Sequence, residues 1–135
     1  MLIQSKRVWL ADQFVPAQIE IEGSIIRTIY PYQTKSVDKH YGNSRIIPGM
    51  IDVHRHGAYG FDTNDGEGGG LEMWAKHLPE EGITGFLPTT VTQGVDVLTN
   101  ALAGVAKYMR KEQKGAQVLG VNFEGPYLNT KFKGA

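Results

Sequence analysis

From Arg45 onward the sequence switches back and forth between two hydrophobic periods, and that alternation limits the possible folds. "RIIPGMIDVHRH" gives a short apolar run, a Pro-Gly turn and then a strand of the buried type. "GFDTNDGEGGG" reads as a loop, and "LEMWAKHLPEEG" as a helix with Leu71, Trp74, Ala75 and Leu78 on one face. Pro79 falls inside that pattern and is expected to kink or end the helix. "ITGFLPTTVT" is a second strand, and "VDVLTNALAGVAKYMRKEQKG" a second helix. Its apolar positions Val97, Leu98, Ala101, Leu102, Val105 and Met109 follow helical spacing. Its last turn gathers Lys and Arg, where the helix dipole favours them. "AQVLGVNFEGPYLN" closes the series as a third, near-continuous apolar strand. Strand, helix, strand, helix, strand predicts an α/β fold with a parallel sheet and right-handed crossovers.

The residues before Arg45 have a different texture. "RVWLADQFV" and "AQIEIEGSIIRTIYP" carry β-branched and aromatic residues in period-two stretches, and Glu22-Gly23-Ser24 between two runs predicts a hairpin turn. "YQTKSVDKHYGNS" is polar and reads as a loop. A small antiparallel sheet over residues 1–45 is expected, followed by a second region over residues 46–135. Lys plus Arg and Asp plus Glu both number 14, so nothing drives counterion release from nucleic acid or adhesion to an anionic membrane. No stretch approaches the roughly 20 apolar residues of a membrane span, and charges interrupt the N-terminus, so it does not read as a signal peptide. The absence of cysteine excludes disulfides and thiolate metal sites and fits a cytoplasmic protein.

Two imidazoles close the first strand of the second region. On a regular strand Asp52, His54 and His56 share a face, while Val53 and Arg55 point the other way. His54 and His56 are then about 6.6 Å apart along the strand and can lean toward one cation or two adjacent ones. They sit at the strand's C-terminal end, where parallel α/β folds bind ligands. An isolated His-x-His is more often a pair of unligated histidines. The third strand changes the balance. Gly120, Asn122 and Glu124 share a face there, and Glu124 stands at the same topological end as the histidines, directly before Gly125-Pro126. A carboxylate closing an apolar strand needs a cation or donors, and an ordinary ion pair is the alternative use. Together His54, His56 and Glu124 make an N/O donor set suited to zinc, iron, manganese or cobalt.

Other features carry less. Gly66 to Gly70 precede a helix but match no phosphate fingerprint, so a flexible loop is the preferred reading. Thr89, Thr90 and Thr92 close the second strand, where their hydroxyls could support the site. His40 and His77 lie in polar or helical surroundings and are expected to be solvated.

"IIPGMIDVHRHG" resembles the strand-one signature of the amidohydrolase superfamily, and "GVNFEGPYLN" narrows the resemblance to its N-acetylglucosamine-6-phosphate deacetylase family. The resemblance covers essentially all of this chain and only the opening part of such an enzyme. It implies a (β/α)₈ TIM barrel holding one or two divalent metal ions, flanked by a small β-sandwich. Residues 1–45 would belong to the β-sandwich, and residues 46–135 would be the first strands and helices of a truncated barrel. The implied reaction is hydrolysis of the acetamide of N-acetylglucosamine 6-phosphate to glucosamine 6-phosphate and acetate. By motif position His54, His56 and Glu124 would ligate metal, and Ala135 would contact substrate through its backbone. The general acid and base, an aspartate, is expected beyond residue 135, so the chain alone is expected to be inactive. The family commonly has histidine where this sequence has Asn122, which cannot titrate. An amino-sugar phosphate substrate and a homo-oligomer are the implied partners, with no nucleic acid and no membrane. Two alternatives stay open: another amidohydrolase, such as a cyclic-amide hydrolase or deaminase, and a non-catalytic association fragment.

Overall fold

The computed structural model describes residues 1–67 and 70–132. The chain divides into two compact units, Met1–Pro48 and Gly49–Ala135.

In the first unit β1 (Leu2–Leu10), β2 (Gln13–Glu22) and β3 (Ile25–Pro31) form an antiparallel meander. The hairpin at Glu22-Gly23-Ser24 forms as its sequence predicts, with Gly23 at a φ of 60°. The turn between β1 and β2 is less legible. Ala11 and Asp12 both take positive φ, 46° and 63°, the geometry a tight two-residue hairpin demands. Neither is the glycine or asparagine that announces such a turn. The sheet is also mixed rather than antiparallel. β4 (Lys39–His40) and β5 (Arg45–Ile46) both pair parallel to β1, using backbone groups that β2 leaves free. The polar stretch that feeds β4 is tied down from below. The buried Gln18 amide donates to Gln4 Oε1 at 2.8 Å and to the Lys35 carbonyl at 2.7 Å, and it accepts from Lys35 N–H at 3.0 Å. Val8, Ala17 and Ile19 form the small apolar core.

The second unit has the predicted strand–helix alternation. β6 (Met50–Arg55) leads to a short hairpin of β7 (Gly57–Ala58) and β8 (Phe61–Asp62). There follow α1 (Gly70–His77), β9 (Ile83–Thr90), α2 (Val95–Met109), β10 (Gln117–Val118) and β11 (Asn122–Phe123). β9 is the central strand. β6 pairs parallel with it along one edge, and β10 and β11 pair parallel with it in succession along the other. The expected continuous third strand is therefore interrupted around Gly120, although Leu119 N–H still donates to the Phe86 carbonyl. Pro79 ends α1 at His77, and the chain tightens into a 3₁₀ turn, Leu78–Glu81, before Gly82. Among the described residues no helix is long and apolar enough to cross a membrane.

The helices bury the faces their spacing selects. α1 and its 3₁₀ extension bury Leu71, Trp74, Ala75 and Leu78, and α2 buries Leu98, Ala101, Val105 and Tyr108. Met109, expected inward, is exposed, and Tyr108 takes that end of the stripe. Trp74 is the centre of the core. It has no exposed surface and stacks obliquely on Phe86 at 4.8 Å and on Phe61 at 6.3 Å between ring centroids. Trp74→Ala is expected to destabilise the chain by about 3–5 kcal/mol through lost burial and the cavity left behind. Trp74 Nε1 has no hydrogen-bond partner among the described residues, so Trp74→Phe removes an unpaired buried donor and loses far less. Urea denaturation of the two variants checks the order. Equal losses would mean that the ring does not fill that core.

Candidate metal centre

The C-terminal ends of β6, β9 and β11 lie side by side because the three strands run parallel with β9 in the middle. β6 delivers His54 and, one residue past its end, His56. β11 delivers Glu124 one residue past its end. Gly125 then turns the chain away at a φ of 92°, where a Cβ would collide with the Thr92 side chain. The register brings these ends level, since Asn122 pairs with Thr89 and Phe123 with Thr90.

The predicted trio converges. His54 Nε2 is 3.0 Å from Glu124 Oε2, His56 Nε2 is 3.2 Å from the same oxygen, and the two Nε2 atoms are 3.3 Å apart. A tetrahedral zinc-sized ion with ligands at about 2.0–2.1 Å sets ligand atoms roughly 3.3 Å from one another. The three edges of the triangle match that spacing. Hydrogen bonding explains the triangle less well. His56 Nδ1 lies 3.1 Å from the Thr89 carbonyl, a pure acceptor, which assigns the ring proton to Nδ1. A neutral His56 then turns the lone pair of Nε2 toward a carboxylate oxygen, acceptor against acceptor. A cation, or a second proton on the ring, resolves that contact. The same carbonyl bond is the support that metal-ligating imidazoles characteristically have. The side chains of His54, Glu124 and His56 are 54%, 41% and 36% exposed, so the cluster is open on one side to a ligand.

β6 does not reach the site as a regular strand. Asp52 pairs with Phe86 and Arg55 with Pro88, so β6 spends one residue more than β9 over that interval. This bulge breaks the simple alternation of faces. Arg55, expected opposite Asp52, instead bonds Asp52 Oδ2 through Nε at 2.7 Å and Glu81 Oε2 through Nη2 at 2.9 Å. The hydrogen bond to Glu81 raises the Arg55 pKa, and the same bond lowers that of Glu81. Glu81 could not be found from sequence, because it meets Arg55 only once the turn after α1 folds back beside β6. Thr89, one of the three threonines noted at the end of the second predicted strand, is fully buried beside the cluster. His40 contacts Tyr32 and His77 contacts Glu80, and neither joins the trio. Gly68, Gly69 and Ala135 lie outside the described residues, so the expected substrate contact of Ala135 falls there.

No protein-family model matches the chain. Curated relatives do. The chain is 42% identical over 96 residues to the N-acetylglucosamine-6-phosphate deacetylase of Bacillus subtilis (strain 168), covering 69% of this chain and 24% of the relative. It is 35% identical over 127 residues to the N-acetylgalactosamine-6-phosphate deacetylase of Escherichia coli O157:H7, covering 94% of this chain and 32% of the relative. Its fold matches the crystal structure of N-acetyl-D-glucosamine-6-phosphate deacetylase from Mycobacterium smegmatis with a TM-score of 0.85 at 25% identity, across 100% of this chain and 38% of that one. The chain belongs to the N-acetylglucosamine-6-phosphate deacetylase family. It spans between about a quarter and a third of the length of the curated relatives it matches, 24% and 32% in the two named. Within that family portion the fold is mixed α/β, and His54, His56 and Glu124 form a group that could hold a metal ion.

Proposed function

We propose that this chain supplies metal ligands to an enzyme that hydrolyses the acetamide of N-acetylglucosamine 6-phosphate to glucosamine 6-phosphate and acetate. The observation that carries the reading is the convergence of one ligand atom each from His54, His56 and Glu124 within 4.8 Å, in a chain related to such deacetylases. Residues 46–135 are then the opening strands and helices of a (β/α)₈ barrel, and residues 1–45 a portion of its small β-sandwich. The cysteine-free sequence supports a cytoplasmic setting, and a homo-oligomer remains the expected assembly.

A divalent zinc, iron, manganese or cobalt ion, when bound, would polarise the acetyl carbonyl and acidify water for attack on it. The chain's own part is positional. His56 is held by the Thr89 carbonyl with Nε2 facing the centre, His54 and Glu124 complete one face, and their exposed side admits the acetamide. An aspartate beyond residue 135 would carry the proton to the leaving amine.

The test is acetate release by the complete enzyme that contains this sequence. N-acetylglucosamine 6-phosphate is expected to turn over well ahead of unphosphorylated N-acetylglucosamine. Equal rates would favour the alternative amidohydrolases. A second reading has its own support, because the relative named for N-acetylgalactosamine 6-phosphate covers 94% of this chain. Running both phosphorylated sugars side by side separates the two.

A further inference from the structure

We propose that the Thr89 side chain is a positioning residue for the metal centre: its hydroxyl pins the β6 bulge that aims His54 and His56, and ties that bulge to the strand carrying Glu124. The proposal rests on the metal reading above but concerns a residue that does not itself ligate.

A β-bulge takes backbone N–H groups out of the ladder, and each must find another acceptor. On β6 two side chains provide them. Asp52 Oδ1 accepts from His54 N–H at 3.1 Å, and Thr89 Oγ1 accepts from Arg55 N–H at 3.0 Å. Thr89 Oγ1 also accepts from Asn122 Nδ2 at 3.4 Å and donates to the Leu87 carbonyl at 3.1 Å. A hydroxyl has one donor and two acceptor positions, and all three are used here. The residue has no exposed surface, so water cannot substitute for these partners. Arg55 lies between the two histidines in sequence, and Asn122 stands two residues before Glu124. The carbonyl of the same threonine accepts a hydrogen bond from His56 Nδ1–H. One residue on the central strand therefore fixes the backbone between the two imidazoles, the tautomer of one of them, and the approach of the carboxylate strand. This also gives Asn122 a task that needs no titration: it donates to the hydroxyl.

Thr89→Val keeps the shape and removes the hydroxyl, and Thr89→Ser keeps the hydroxyl. Titration of the metal-free complete enzyme that contains this sequence with Co²⁺, followed by its visible absorption, reads both affinity and ligand geometry. Thr89→Val is expected to bind Co²⁺ about 10–100-fold more weakly with an altered band shape, as losses of outer partners do. Thr89→Ser is expected to restore the wild-type spectrum and most of the affinity. A purely structural threonine would lower the thermal midpoint in the valine variant and leave the spectrum alone. Wild-type affinity and band shape in Thr89→Val would overturn the proposal while leaving the metal reading intact. No cobalt spectrum in the wild-type complete enzyme would overturn both. Should the valine variant not fold, hydrogen exchange on the wild-type complete enzyme decides. The Arg55 amide is expected to exchange at least about tenfold slower than an unstructured amide. Unprotected exchange there would mean that the hydroxyl does not hold the bulge.

Discussion

Replacing His54 and His56 together by alanine in the complete enzyme that contains this sequence is expected to remove much of its transition metal while leaving its fold in place. The two imidazoles provide two of the three converging ligand atoms, and Glu124 alone offers an exposed carboxylate no different from many on a protein surface. Loss of outer-sphere partners already weakens metal sites about 10–100-fold, so removal of two direct donors should exceed that. The fold has little stake in either ring. Their side chains are 54% and 36% exposed, and neither belongs to the apolar core. Exposed substitutions of this kind usually change stability by no more than about 0.5 kcal/mol. Elemental analysis alongside circular dichroism separates the outcomes. Unchanged metal stoichiometry in the folded double variant would end the assignment of these histidines as ligands.

The convergence of His54, His56 and Glu124 could be read from the sequence, but the way it is built could not. His54, His56 and Glu124 were legible because each closes an apolar run, and strand ends in a parallel sheet collect on one side. The helix ending at Pro79 and the turn at Gly23 were legible for the same kind of reason: each depends on its own residues. The bulge in β6 depends on how two strands far apart in sequence pair, and period-two alternation carries no trace of it. The partners of Arg55 were hidden for that reason too. In the first unit the pairing of β4 and β5 to β1 rests on two-residue contacts too short to produce a hydrophobic pattern. The reading of β6 as a buried strand met a different limit. An apolar run signals a face to be covered, and Ile51 and Val53 are 60% and 59% exposed.

That exposed face leads to the second large effect: the 135-residue chain on its own is expected to associate, to bind metal only weakly and to release no acetate. The sheet of the second unit has β9 inside and β6 on one edge, with β10 and β11 on the other. Ile51 and Val53 on one edge strand are joined in exposure by Leu119 and Phe123, 48% each, on and beside the opposite edge. Unpaired strand edges beside apolar side chains are templates for pairing with another chain. A (β/α)₈ barrel takes roughly 250 residues and has no open edges, because the sheet closes on itself. The proposed role as the opening part of such a barrel therefore leaves these edges waiting for strands this chain does not contain. Weak metal binding follows from the same shortfall, since three ligands on one open side leave the ion competing with solvent. Light scattering coupled to size-exclusion chromatography should show species larger than the monomer, growing with concentration. Placing charge on the edge through Ile51→Lys and Val53→Lys should shift the population back toward monomer, as lysine does on natural edge strands. A monodisperse wild-type monomer that releases acetate from N-acetylglucosamine 6-phosphate would contradict this account at its root. It would mean that the open sheet is self-sufficient and that no aspartate beyond residue 135 is needed to move the proton.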